Sequence, residues 1–486
     1  MKVALIPLVL IACLSNVGAF KILFFIPVFG ISHVRFSGKL ADVLADAGHE
    51  VIVYQPVLDE SVKTKGFSSP NITKYYRLPR NPGDYPSFVQ EDAIAGLWEG
   101  MPLSAMTKFG KSRAEFCEGI MKDKKNLDAL EAEKFDLVVT EWFEPCGYGV
   151  INAIGAKKYV TTWSGGLNSA ITGALGVKPH WSYSVGHNSV STEVLSFGER
   201  IKELIGHFLG ELIFLPIMMG GISDAIRQHH PEFDLSTAVA KSAFVFVNSE
   251  DHVDYVIPRT PKVILIPNMD NEKPKPLTGR VAEVVESSNT RGIVLFSFGS
   301  TLQACTMPSH VKTAFMEAFK EFPDITFFWK YEKPEDGTAA DIQNVFLDNL
   351  PVFADQPRNT ALLTYRGMGF GLDHKTLTKE KVVEALNEIL NNKKYKEKAQ
   401  LIHRMIQARP LSTKESFIKH IEFAAEFGDT GTLSAEGANQ SVFVFHSLDV
   451  IGFLLAVVIV VVLLLKWVIV SVVRLVRIKL VKCKKE

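Results

Sequence analysis

KILFFIPVFGISHVRFSGKLADVLADAGHEVIVY, residues 21–54, contains one complete strand–helix–strand unit. Lys21 to Pro27 is a continuous apolar run ended by a turn, the pattern of a strand buried on both faces of a parallel sheet. Phe36, Leu40, Val43, Leu44 and Ala47 then recur at helical spacing, with Ser32 placed to cap the helix and Gly48 to close it before the next strand, Val51 to Tyr54. The alternation returns downstream. Asp136 to Thr140 predicts a strand, Gly147 to Ile154 a helix, and Lys158 to Thr162 and Phe244 to Asn248 two more strands. Such alternation predicts a doubly wound α/β domain with ligands at the carboxyl ends of the strands.

Two stretches interrupt the pattern, Ala93 to Lys122 and Ile201 to Gln228, and their aromatic and aliphatic content predicts insertions that line an apolar cavity. Within the second, Leu212 to Gly221 is too short for a membrane span and is broken by Pro216, with Glu211 just before it, so it reads as a buried or interfacial helix. Pro258, Pro261, Pro267, Pro274 and Pro276 mark a linker. A second α/β domain starts near Arg291, with strands Ile293 to Phe298 and Ile325 to Lys330, a helix Pro308 to Phe322 between them, and a short strand at Met368 to Leu372. Thr378 to Asn391 and further helices to about Phe427 complete it.

The chain ends follow membrane rules. Lys2, the apolar run Val3 to Leu14 and the small residues Val17-Gly18-Ala19 predict a signal peptide of residues 1–19, cut before Phe20. Val450 to Val473 is apolar apart from Lys466, Trp467 and Ser471, long enough to span a bilayer core that takes about 20 residues. Lys466 can snorkel. Arg474, Arg477, Lys479, Lys482, Lys484 and Lys485 follow, and such an excess of basic residues marks the cytoplasmic side. The expected topology is therefore single-pass type I with a lumenal body. Lys482 and Lys484 resemble a dilysine retrieval signal of the endoplasmic reticulum, and a basic anchor on the membrane surface is the other reading.

The 486 residues carry no net charge, which gives no indication of a nucleic-acid partner. With Cys13 in the signal and Cys483 in the tail, Cys117, Cys146 and Cys305 remain for the lumen, enough for one disulfide; no Cys/His spacing suggests zinc. Asn71 and Asn439 head glycosylation sequons, the second close to the bilayer.

Two side chains stand out for chemistry. His33 falls at the start of a helix at the carboxyl edge of the sheet, where helix amides and the positive dipole end disfavour a charged imidazole and leave a base available. Glu141, just after FDLVVT, reaches the same edge and could hold the ring in one tautomer; Glu144 is the alternative partner. Packing or capping by His33 and a surface ion pair by the acid are the plain alternatives.

The early histidine before a helix ending AGHEVIV, FDLVVTEWFEPCG, VLFSFGS, FFWKYE, VFADQPRN and HSLDVIGFLLAVV with its dibasic tail together resemble the UDP-glycosyltransferases of the secretory pathway, the UDP-glucuronosyltransferases including nematode forms. The resemblance implies two facing Rossmann-like domains of the GT-B type, 20–277 for the acceptor and 278–447 for the UDP-sugar, with a transmembrane helix 450–473 and a basic tail 474–486. It implies His33 as the base that deprotonates an acceptor hydroxyl with inversion at the sugar, and Glu141 where the family often has aspartate. Asp355 and Gln356 match the pair that grips the sugar hydroxyls, and Ser300 a residue near the diphosphate. The UDP-sugar is a co-substrate, and neither cofactor nor metal is implied. Partners would be a small lipophilic acceptor, the membrane and, for some members, further family chains.

NVFLDNLPVFADQPRN, residues 344–359, departs from that pattern. Two apolar bursts are joined by three residues, whereas parallel neighbours need a crossover of about a dozen or more. The family's uracil-stacking W-x-P-Q segment, histidine-glycine-glycine loop and ribose glutamate have no counterpart, an absence of roughly one βαβ unit near 347–350. Three readings follow: a transferase moving glucuronic acid or glucose to a lipophilic hydroxyl; an impaired homologue that binds apolar ligands or pairs with intact members; or a splice form or misassembled gene. The first two assume this chain as written, and a missing unit would leave edge strands and helix faces uncovered.

Overall fold

A computed structural model describes residues 18–88, 98, 102–186, 189–267, 269, 276–287, 290–299, 303–348 and 356–483. Its first unit is a parallel sheet of β1 (Lys21–Phe25), β2 (Glu50–Pro56), β3 (Lys74–Leu78), β4 (Leu137–Glu141), β5 (Tyr159–Trp163), β6 (Val245–Val247) and β7 (Val263–Leu265), in the order β3-β2-β1-β4-β5-β6-β7. Strand order reverses between β1 and β4, which pair as Ile22–Leu137, Leu23–Val138 and Phe24–Val139. In open α/β sheets that reversal opens a crevice beyond the carboxyl ends. Ile22 to Phe25 are buried on both faces, which is why the run is uninterruptedly apolar.

Helix α1 (Ile31–Asp46) follows β1. Its N-cap is Gly30, and no side chain caps it; Ser32 lies inside the first turn, so the expected serine cap is not formed. Gly48 does end it, at φ +96°, a conformation costly for residues with a Cβ. Helix α2 (Leu103–Met121) buries Phe116, Cys117 and Ile120 in the core, where it packs against residues 216–227 and α3 (Cys146–Ala153). A disulfide joins Cys117 to Cys146, settling which two of the three candidate cysteines pair. It closes a loop of 29 residues, and cross-links of that size stabilise by about 3–4 kcal/mol through the unfolded chain. A Cys117→Ser/Cys146→Ser chain is therefore expected to unfold at lower denaturant concentration by that margin, read as a shift of the urea midpoint with unchanged slope.

A long helix, α4 (Phe197–Arg227), passes through π-helical turns at Gly210–Phe214 and Pro216–Gly220. Pro216 lacks an amide hydrogen and crowds the preceding turn, and the wider π spacing absorbs both. Only its last stretch, with Met219, Ile222, Ala225 and Ile226, enters the core.

The second unit has a parallel sheet of β8 (Gly292–Phe296), β9 (Ile325–Lys330) and β10 (Val345–Asp348), ordered β10-β9-β8. One face packs on α5 (Ser309–Lys320) around Phe319, Phe327 and Trp329. On the other face of β8, Ile293 and Leu295 are 45% and 57% exposed, large apolar side chains without a covering layer among the described residues. VFL of the junction is thus a strand paired in register with β9, Leu347 opposite Trp329. The second burst, PVF, lies outside the described residues. Helix α6 (Gln356–Tyr365) follows, then α7 (Lys379–Asn391). Met368 to Leu372 is not a strand: Gly367, Gly369 and Gly371 leave it an irregular connection after α6.

Helix α8 (Thr413–Phe427) returns to the first sheet, where Phe417, Ile421 and Ala424 pack with Phe24, Val43 and Phe246. Lys158 Nζ donates to the carbonyls of Ala425 (2.6 Å) and Glu426 (2.8 Å), satisfying acceptors at the negative end of the helix. Finally α9 (Leu448–Cys483) is long and apolar enough to cross a membrane, and none of its apolar span is buried in the protein. Lys484 and Lys485 lie outside the described residues.

Candidate functional site

The strand reversal brings His33 and Glu141 together. His33 Nδ1 lies 2.6 Å from Glu141 Oε1. Glu141 ends β4, and His33 stands in the first turn of α1 after β1, the neighbouring strand, so adjacency in the sheet becomes adjacency of side chains. A carboxylate only accepts hydrogen bonds, so Nδ1 carries the proton and donates it, leaving Nε2 with a free lone pair. The Glu141 side chain is 1% exposed and that of His33 19%, so the acid is sealed in while the ring keeps a surface.

Ser164 Oγ is a second neighbour of the same nitrogen, at 2.9 Å. Sequence reasoning missed it. The signal was present: Ser164 is the first residue after β5, whose register sets Thr162 beside Glu141. Aromatic rings complete the surroundings. Phe29 lies 4.6 Å from the imidazole, Phe143 stacks on it at 5.3 Å and 20°, and Trp163 is at 6.2 Å.

Glu144, the alternative partner, is committed elsewhere. Its Oε2 accepts from Arg113 Nε at 3.1 Å, with both side chains fully buried. Burial pushes the Glu144 carboxyl upward, and the Arg113 guanidinium opposes that shift. Arg113 also donates to the carbonyls of Phe143 and, at 3.2 Å, Met218, and its guanidinium sits 4.5 Å from the Phe143 ring. The pair thus holds the 142–145 loop that presents Phe143 to His33.

The second unit reaches this edge through α6. Arg358 pairs with buried Asp254, which also accepts from Ser249, and Arg366 donates to the carbonyls of Val253 (2.9 Å) and Asp254. Arg358 also approaches Gly166, two residues after Ser164: a Cβ there would lie 3.0 Å from Arg358 Nη1. Trp98 makes another bridge, its indole N–H directed at Gln303 O (3.2 Å) and its ring 4.9 Å from Phe298.

Of the donor residues expected from sequence, Ser300 and Asp355 lie outside the described residues. Gln356 is the first residue of α6, two positions before Arg358. Asn71 and Asn439 are both exposed, as glycan acceptors must be.

Comparison with known proteins adds the following. The sequence profile described as "UDP-glucoronosyl and UDP-glucosyl transferase" matches residues 26–347 and 342–485. The two segments meet at the junction before PVFADQ. The Caenorhabditis elegans chain ugt-47, named among the UDP-glucuronosyltransferases, is 22% identical, over 89% of each chain. Mouse UDP-glucuronosyltransferase 2A1 is 23% identical over 80% of this chain and 82% of its own. Among solved structures, UDP-glucose: anthocyanidin 3-O-glucosyltransferase in complex with UDP aligns with a TM-score of 0.52 at 12% identity, covering 84% of this chain and 99% of that one. Phytolacca americana UGT2 complexed with UDP-2fluoro-glucose and pterostilbene gives 0.51 at 10% identity, over 83% and 99%. At such identities the likeness concerns the fold, the two-domain GT-B glycosyltransferase architecture.

Proposed function

The chain belongs to the UDP-glucuronosyl and UDP-glucosyl transferase family and is a glycosyltransferase, and from that premise we propose that it moves a hexose, glucuronic acid or glucose, from UDP to the hydroxyl of a small lipophilic acceptor. The observation that carries the mechanism is the His33–Glu141 hydrogen bond at the strand reversal. With Nδ1–H held by the carboxylate, Nε2 accepts the acceptor's proton as its oxygen attacks the anomeric carbon and UDP leaves from the opposite face. That single displacement inverts the sugar. Glu141 stabilises the imidazolium that forms, and Phe29, Phe143 and Trp163 supply apolar surface for the acceptor. The base comes from the chain itself, so the reading asks for no metal ion.

Asp355 and Gln356 are assigned to the sugar hydroxyls and Ser300 to the diphosphate. Support for the pair is the position of Arg358, which meets Gly166 and Asp254 beside Ser164: three helical residues span only about 4.5 Å, so the start of α6 lies at the same cleft. We further assign residues 20–277 to the acceptor domain and 278–447 to the donor domain, with α8 strapping the second to the first. In the same reading α9 anchors the chain in the endoplasmic-reticulum membrane as a single type I span. The buried disulfide, which persists in oxidising compartments, supports a lumenal body.

The test uses the full-length chain in detergent. Calorimetric titration with UDP is expected to give a saturable heat, and a panel of phenols with UDP-glucose or UDP-glucuronic acid is expected to yield a glycoside of inverted configuration. Absence of UDP binding would count against a complete donor site and for an impaired homologue, in keeping with the bare face of β8.

A further inference from the structure

Helix α4 carries an exposed apolar stripe. Phe197, Ile201, Ile205, Phe208 and Leu212 are 40–73% exposed and recur every three or four residues, so they share one face. On the opposite side Glu203 is buried and accepts from Gly186 N (2.9 Å) and Ser189 Oγ, which fixes the helix to the domain by its polar face. Arg200 and Lys202, both exposed, fall on the two flanks, about 100° from the middle of the stripe at 3.6 residues per turn.

The position of the stripe identifies its occupant. His446 stands two residues before α9, and its ring lies 6.3 Å from Trp181 and 6.4 Å from Phe208. Trp181 in turn lies 5.9 Å from His207 and 5.8 Å from Phe208 of α4. Gly176 packs so closely on the backbone of Gly437 and Ala438 that a Cβ there would lie 2.4 Å from Ala438 N. The root of the membrane-crossing helix is therefore built onto the same surface as α4.

Although α4 is long and apolar enough to cross a bilayer, its final turns hold Met219, Ile222 and Ile226 in the core. β5 and β6, which precede and follow it, are neighbours in one sheet. Both its ends therefore stay on one side of any bilayer, and it does not cross one. We propose that α4 rests in the headgroup region of the bilayer that α9 spans, with the stripe from Phe197 to Leu212 among the outer acyl carbons and Arg200 and Lys202 reaching the phosphates. This rests on the reading of α9 as a membrane span. A consequence is that Met218 and Met219, at the inner end of the same helix, adjoin Arg113 behind Phe143, so the His33 site faces a wall anchored on the lipid surface.

The experiment places single fluorescent labels on the full-length chain, in a Cys305→Ser/Cys483→Ser background, reconstituted in phosphatidylcholine vesicles. Labels go on Ile201→Cys, Ile205→Cys and Phe208→Cys, on exposed Lys125→Cys in the helix Lys124–Glu133 beside edge strand β3, and on Val460→Cys in α9. The α4 labels are expected to be quenched at least threefold more by lipids with a nitroxide near the headgroup than by lipids with one near the chain end. Lys125→Cys is expected to respond to neither and Val460→Cys mainly to the deep nitroxide. Unquenched α4 labels beside a quenched Val460→Cys would overturn the proposal while sparing the span. Stronger quenching of α4 by the deep nitroxide would make it a second span, and self-quenching that rises with protein density but ignores the nitroxides would assign the stripe to a second copy; either sinks the proposal. An unquenched Val460→Cys would remove the span reading and the proposal with it.

Discussion

A His33→Ala chain transfers sugar about 10²- to 10⁴-fold more slowly than the parent, the range a positioned general base contributes. The substitution removes Nε2, which the geometry leaves as the basic nitrogen, and frees the Glu141 carboxylate without supplying another base. Acceptor affinity changes little, because Phe143 and Trp163 remain packed against each other at 5.9 Å and keep the apolar wall. Steady-state kcat with acceptor affinity measured separately by fluorescence titration reads the two effects apart. Turnover within a few-fold of the parent would remove His33 from the mechanism.

Glu141→Gln is expected to lower kcat on the order of 10²- to 10³-fold, with the fold intact. The volume hardly changes, but the amide can donate to Nδ1, which favours the tautomer protonated on Nε2 and blocks it as a base. An equivalent acid-to-amide change in a serine-protease triad costs about 10⁴-fold for the same reason. The smaller figure here reflects Ser164, whose hydroxyl remains 2.9 Å from Nδ1 and can still accept its proton in part of the population. Nitrogen NMR of the imidazole reports the tautomer directly. A parent-like tautomer with a parent-like rate would reduce Glu141 to a packing role. Glu144→Gln touches no reacting group and is expected to leave the tautomer unchanged.

The legible elements were those whose signal is local. β1, β4 and β9 are buried on both faces and so read as mainly apolar runs without polar alternation, and α1 and α7 show helical spacing because each has one buried face. β3 was missed because it lies at the edge of the sheet, and KYYRL is half exposed with charges at two of five positions. β7 lies within the proline-rich stretch that reads as a linker; its three residues are held by register with β6 and not by composition. The expected strand at Met368 to Leu372 failed for the converse reason, since apolar residues alternating with glycine have no partner strand to order them.

By itself the sequence determined the α/β class, the membrane-length helix and the family, and it singled out His33 and two acids as candidates, since each is read from residues close in the chain. It also showed the three-residue junction at 348–350, because the shortest crossover between parallel strands is a matter of chain length. Only the tertiary structure decided which acid lies against His33. Glu141 and Glu144 are three residues apart and chemically equivalent, yet Arg113, 31 residues before Glu144, engages one in the core, while the reversal of strand order sets the other against His33. It likewise brought Ser164 to the ring and Arg358 to Gly166. Contacts between distant segments arise from strand order and burial, and neither is written in any local pattern.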